Sequence, residues 1–156
     1  MIGSYPTTYT VETGVVNIPD PTRTGYTFLG WTGTGLSEAT KNLSIPAGSI
    51  GNRNYTATWS ENTYTISYAI YGSGATGTAP AKETLKYSQA YTIPANPFAR
   101  AGYTFTGWST SAGGSAVYSA GQSISAMSAT DGANITLYPA WLANTYTINY
   151  ANYSSS

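Results

Sequence analysis

The sequence predicts a mainly β chain, α+β at most, assembled from tandem small units. Three observations carry that expectation. Thr, Ser, Gly and Asn make up nearly half of the 156 residues, and 15 Tyr and 4 Trp add to them. Helix formers are scarce, whereas Thr, Tyr, Trp, Val and Ile suit a pleated, half-buried surface. Finally, a nine-residue segment recurs, and the apolar positions around it alternate at period two.

The alternation is clearest from Tyr64 onward, where Tyr64, Ile66, Tyr68 and Ile70 interleave with Thr65, Ser67 and Ala69. That pattern is a half-buried strand. In the segment Gly-Tyr-Thr-Phe-x-Gly-Trp, simple alternation places Tyr26 and Phe28 on one face and Thr27, Leu29 and Trp31 on the other. The flanking glycines fit a turn before the strand and a bulge within it. Asn54 to Trp59 and Ile135 to Trp141 read as closing strands. Pro19, Pro21, Pro94 and Pro97 force extended backbone ahead of the repeated segment. Short helical turns are expected only at Ser37–Leu43 and Gln122–Ser128.

Repetition organises the chain. Arg23-Thr24-Gly25-Tyr26-Thr27-Phe28-Leu29-Gly30-Trp31 returns as Arg100-Ala101-Gly102-Tyr103-Thr104-Phe105-Thr106-Gly107-Trp108, with seven of nine positions identical at an offset of 77. Trp59 and Asn62-Thr63-Tyr64-Thr65-Ile66-Ser67-Tyr68-Ala69 return as Trp141 and Asn144-Thr145-Tyr146-Thr147-Ile148-Asn149-Tyr150-Ala151, at an offset of 82. The expected organisation is a lead-in at 1–8, a first unit at 9–59 without its opening strand, and a joint at 60–63. A complete second unit at 64–141 follows, then a joint at 142–145 and the opening strand of a third unit at 146–156.

Composition excludes several function classes. With no His and no Cys, the chain has no Ser-His or Cys-His nucleophilic pair and no imidazole base. Structural zinc, haem and iron–sulfur ligation lose their usual donors. Six basic against six acidic residues leave no electrostatic footprint for a nucleic acid. No apolar run reaches about 18 residues, so no segment of this sequence reads as a membrane span. Met1 to Ser4 has neither the basic start nor the apolar stretch of a signal peptide.

The run Pro-x-Arg-x-Gly-Tyr-Thr-Phe-x-Gly-Trp, followed after a spacer by Tyr-Thr-Ala-Thr-Trp or Leu-Tyr-Pro-Ala-Trp, resembles the Listeria–Bacteroides repeat. This is the B-repeat of internalin-like and other bacterial surface proteins. It covers Pro21 to Trp31 with Tyr55 to Trp59, and Pro97 to Trp108 with Leu137 to Trp141. The resemblance implies tandem β-grasp-like (ubiquitin-like) units in an extracellular, bacterial cell-surface protein. Thr58 and Ala140 depart from the family's polar slot, read here as drift at an exposed position.

Each residue with chemical potential has two readings. Trp31, Trp59, Trp108 and Trp141 are either sugar-stacking platforms or core anchors. Core is preferred, because an aromatic ring buries roughly 150–250 Å² and repeats copy their cores. Arg23 and Arg100 either hold an anion or lay their stems on a Trp face, the latter preferred. With Gly25, Tyr26, Phe28, Gly30, Gly102, Tyr103, Phe105 and Gly107 these residues form the structural repeat motif. Tyr5, Tyr71, Tyr118, Tyr150 and Tyr153 lie off the apolar stripe or near the ends. Ordinary strand propensity explains them, while Tyr71, Tyr118, Tyr150 and Tyr153 are kept as an interface set.

Glu83 and Asp131 have no acidic counterpart in register, so neither a glycosidase pair nor a calcium loop is indicated. Lys41, Lys82 and Lys86 do not recur, which argues against an isopeptide crosslink. The glycosylation patterns at Asn42, Asn54, Asn134 and Asn152 follow from composition.

The expected function is therefore a non-catalytic stalk or spacer with an adhesive role, without catalytic residues, metal or cofactor. Its partners are neighbouring repeats and a host or cell-wall glycan or protein, with strand exchange between copies through the 146–156 segment. The alternative is a carbohydrate- or host-receptor-binding module using exposed Tyr and Trp.

Overall fold

Strands account for all the regular structure among the described residues, 4–151 of this computed structural model. In chain order they are β1 (Val16–Asn17), β2 (Tyr26–Gly33), β3 (Ser44–Ile45), β4 (Tyr55–Glu61), β5 (Thr63–Tyr68) and β6 (Ala75–Thr76). There follow β7 (Glu83–Lys86), β8 (Tyr91–Thr92), β9 (Ala99–Arg100), β10 (Tyr103–Ser109), β11 (Ser123–Ile124) and β12 (Ala133–Ala143). The mainly β expectation holds. The two expected helical turns do not form. Thr40 instead exchanges backbone hydrogen bonds with Trp31, at 2.8 and 2.9 Å, and Ser123–Ile124 pairs with Tyr91–Thr92. Both segments are drawn out to satisfy a strand's backbone groups, and that pairing is incompatible with a helical turn.

The long strands are those with the repeated motif. β2 pairs antiparallel with β4, and β10 with β12. β10, β12, β5 and β7 form a four-stranded sheet in that order, and the remaining short strands make two-stranded ladders. The chain divides into two compact units. One comprises the chain through Tyr64 with Thr84–Gln89 and Ser125–Ala133. The other comprises Thr65–Glu83, Ala90–Ile124 and the chain from Asn134.

A bulge at the same point of each hairpin decides which side chains enter the core. The register slips between Phe28 and Gly30, and between Phe105 and Gly107. Gly30 and Gly107 adopt φ of +144° and +148°, and a Cβ there would lie 2.6 Å from Thr40 N or 2.7 Å from Tyr118 O. The extra residue reverses the alternation. Trp31 thus meets Phe28 edge-on at 5.7 Å, and Trp108 meets Phe105 at 5.4 Å, while Leu29 faces solvent. This corrects the simple alternation, which put Trp31 opposite Phe28.

The same slip places Thr58 opposite Gly30 and Ala140 opposite Gly107. Ala140 is buried and Thr58 half-buried, its hydroxyl donating to Gly30 O at 2.6 Å, so neither is the exposed position expected. β5 follows its predicted alternation, with Tyr64, Ile66 and Tyr68 buried, and stops before the exposed Ile70.

Candidate functional site

The repeated residues assemble the same turn and the same aromatic cluster in each unit. In the first, Arg23 O accepts a hydrogen bond from Tyr26 N at 3.0 Å, with Gly25 at φ +76° between them. That tight turn brings Arg23 onto the Tyr26 ring, 3.6 Å from its centre, and Arg100 sits on Tyr103 at the same distance. The ring under each guanidinium is thus Tyr rather than the Trp expected, because the turn places residues i and i+3 face to face. Arg100 Nε also donates to Ser73 O at 3.2 Å. A side chain at Gly25 would collide with the Tyr87 ring, which also stands edge-on to Tyr26. Gly102 repeats the positive φ, at +78°.

The four Trp differ in depth. Trp108 is fully buried, and its indole N–H donates to Pro94 O at 3.1 Å. Tyr68 and Phe98 pack edge-on to it at 4.9 and 6.1 Å. Trp31 is half-buried; its indole nitrogen is enclosed without a hydrogen-bond partner, and Tyr5 stands edge-on at 6.1 Å. Trp59 is half-buried against Phe28 at 5.3 Å. Trp141 is half-buried against Phe105 at 6.1 Å and donates to Tyr71 O at 2.8 Å.

Of the Tyr set, Tyr71 is exposed and edge-on to Tyr138. Tyr118 is half-buried, and its carbonyl accepts from Trp108 N at 2.7 Å. Tyr150 is exposed, and Tyr153 lies outside the described residues. Burial, followed by a hydroxyl contact to Tyr91 at 3.2 Å, pushes the Tyr68 hydroxyl above its ordinary range.

Carboxylates serve as local hydrogen-bond acceptors. Glu61 accepts from Ser88 Oγ and, at 2.8 Å, from Ser88 N, and these bonds hold its carboxyl below the ordinary value. Asp131 accepts from Thr63 N at 2.8 Å, and Asp20 from Asn42 N at 3.0 Å.

The motif residues missed in the sequence are Asn62 and Asn144. Asn62 Oδ1 accepts from Thr27 at 2.6 Å, its Nδ2 donates to Ala129 O at 2.7 Å, and its backbone N donates to Gly25 O at 2.9 Å. Asn144 takes Thr104 at 2.7 Å and Gly102 O at 2.9 Å in the same way. Their recurrence at an offset of 82 was the available signal.

This twice-built architecture is matched by a family model, that of the Listeria-Bacteroides repeat domain, at residues 3–50 and 64–139. The chain belongs to the Listeria-Bacteroides repeat family. The resemblance carried by the Arg-x-Gly-Tyr-Thr-Phe-x-Gly-Trp motif is thereby borne out. One relative carrying this kind of sequence is a protein of Evansella cellulosilytica named "Putative Gly-rich membrane protein". It is 31% identical over 144 residues, covering 86% of this chain and 16% of its own length. The chain thus spans less than a fifth of that relative. No solved structure matches the chain. Among the described residues of the repeat, no helix is long and apolar enough to cross a membrane.

Proposed function

We propose that the chain is a non-catalytic repeat segment of a bacterial cell-surface protein, acting as a stalk with an adhesive role. One observation carries the reading. The residues that recur in register go into turns, bulges and aromatic packing: Arg23 and Arg100 cover Tyr rings, Gly30 and Gly107 make bulges, and Trp108 is buried. A repeat that copies its scaffold in this way extends a chain without needing a recurrent reactive group.

The β-grasp reading is part of the same proposal. In the sheet order β10-β12-β5-β7, the opening and closing strands lie side by side, flanked by the third and second long strands, as in the ubiquitin-like fold. Where that fold carries its helix, between β7 and β10, the chain has Pro94 and Pro97 and runs extended.

The rival reading, a carbohydrate-binding module, has one observation in its favour. A hollow of about 380 Å³ in the second unit is lined by Tyr71, Arg100, Trp141 and flanking glycines. The deciding experiment measures adhesion by cells displaying arrays of increasing length, with and without Tyr71→Ala. A stalk gives adhesion that depends on length and tolerates Y71A. Saturable glycan binding by the isolated chain that is lost in Y71A transfers the function to the hollow.

A further inference from the structure

In the second unit β5 and β12 lie against each other and run the same way. Ser67 Oγ donates to Ile135 O at 3.4 Å and lies 3.1 Å from Thr136 Oγ1, and Ala69 N donates to Leu137 O at 3.0 Å. Later residues following β5 meet later residues of β12, so the pair is parallel, whereas β12 and β10 pair antiparallel. β12 and β5 are also the two interior strands of the order β10-β12-β5-β7. With β10 on the far side of β12 and β7 on the far side of β5, neither strand presents a free edge from which it could be peeled.

The chain enters β5 at Thr63 and leaves β12 at Ala143. In a parallel pair these two points stand at opposite ends of the ladder. Tension along the chain therefore draws β5 and β12 past each other along their own axis, and the bonds between them share the load. In an antiparallel pair pulled apart at one end, the bonds are loaded one after another instead.

The side chains oppose the same movement. Ile66, Tyr68 and Leu137 are buried, and Tyr68 stands edge-on to Trp108 at 4.9 Å. A slip of β5 by one residue would turn Ile66 and Tyr68 outward and carry Thr65 and Ser67 into the core. Sliding thus meets no register that keeps the same face buried until a full pleat has been crossed. The exit of β12 is pinned as well, by Asn144 N to Gly102 O at 2.9 Å and the Thr104 hydroxyl to Asn144 Oδ1 at 2.7 Å.

We propose that the β5–β12 pair is a shear clamp, which makes the second unit a load-bearing module that carries tension along the chain without extending. This use rests on the stalk reading, since a stalk is pulled through its ends.

The sequence contains no Cys, so two introduced Cys residues define where force is applied to the full chain. Ser60→Cys with Leu142→Cys, both at exposed positions, pulls β5 and β12 in shear. Thr104→Cys with Leu142→Cys joins an exposed pair of direct partners and unzips β10 from β12 at its open end. Single-molecule force spectroscopy at one loading rate reads the force at which each direction gives way, which follows the unfolding barrier rather than equilibrium stability. The expected result is a several-fold higher force, released in one step, for the 60–142 direction. Moving the shared handle to the exposed Ala143 should preserve that ranking. Equal forces, or a weaker 60–142 direction, overturn the clamp and leave the stalk standing. Adhesion that ignores array length removes the stalk and leaves the clamp.

Discussion

The Thr27 hydroxyl donates to Asn62 Oδ1 at 2.6 Å, and this bond ties the start of β2 to the residue linking β4 and β5. Asn62 is 8% exposed and also donates to Ala129 O, so its amide works at both ends. Asn62→Ala strands two partly buried groups and should cost about 1–3 kcal/mol. Asn144→Ala, at the solvent-exposed counterpart, should cost about 0.5–1 kcal/mol. Urea unfolding of the two variants measures the difference, and equal losses would contradict it.

Trp31 and Trp108 occupy matching positions with unlike surroundings. Trp108→Ala should cost about 3–5 kcal/mol, because the ring is fully enclosed, with a smaller loss for Trp31→Ala. Replacement by Phe separates packing from hydrogen bonding. Trp108→Phe leaves Pro94 O without its donor, at about 1–3 kcal/mol, whereas Trp31→Phe removes an enclosed N–H that has no partner and stays within about 1 kcal/mol of wild type. Denaturant midpoints for the four variants give the ranking.

Gly107 must stay glycine for two reasons, its φ of +148° and the 2.7 Å approach of Tyr118 O to the place of a Cβ. Gly107→Ala should cost about 2–4 kcal/mol through strain plus overpacking. Gly121, at φ +78° with open space around it, isolates the backbone part, and Gly121→Ala should cost about 1–2 kcal/mol. Thermal melts compare the pair.

Glu61 gives the first unit a pH dependence. Its folded carboxyl titrates below the ordinary value because Ser88 Oγ and N donate to it, in that order of effect. A depressed carboxylate contributes stability above its unfolded pKa, and that contribution is lost as pH falls through the folded pKa. Wild type should therefore lose melting temperature on acidification more steeply than Glu61→Gln. Parallel acid limbs in a melting-temperature series against pH would contradict this.

The hairpins, the closing strands and the recurrence of the core were legible in the sequence. They rest on local patterns: period two, proline and glycine punctuation, and self-similarity. The inward turn of Trp31 was not legible, because one bulge residue reverses alternation and only the pairing of β2 with β4 shows where the slip falls. The role of Asn62 was hidden for a related reason. An Asn in a Thr-rich run looks like turn chemistry until Thr27, distant in sequence, closes on it.

By itself the sequence determined that this is a charge-poor β repeat of the Listeria-Bacteroides family, since that follows from composition and a copied motif. Only the tertiary structure decided that the two copies are unequal. Trp31 and Trp108 share a motif, yet one is half-exposed and the other sealed under Tyr68. Burial depends on which strand occupies the neighbouring edge, a long-range property that an identical local sequence does not encode.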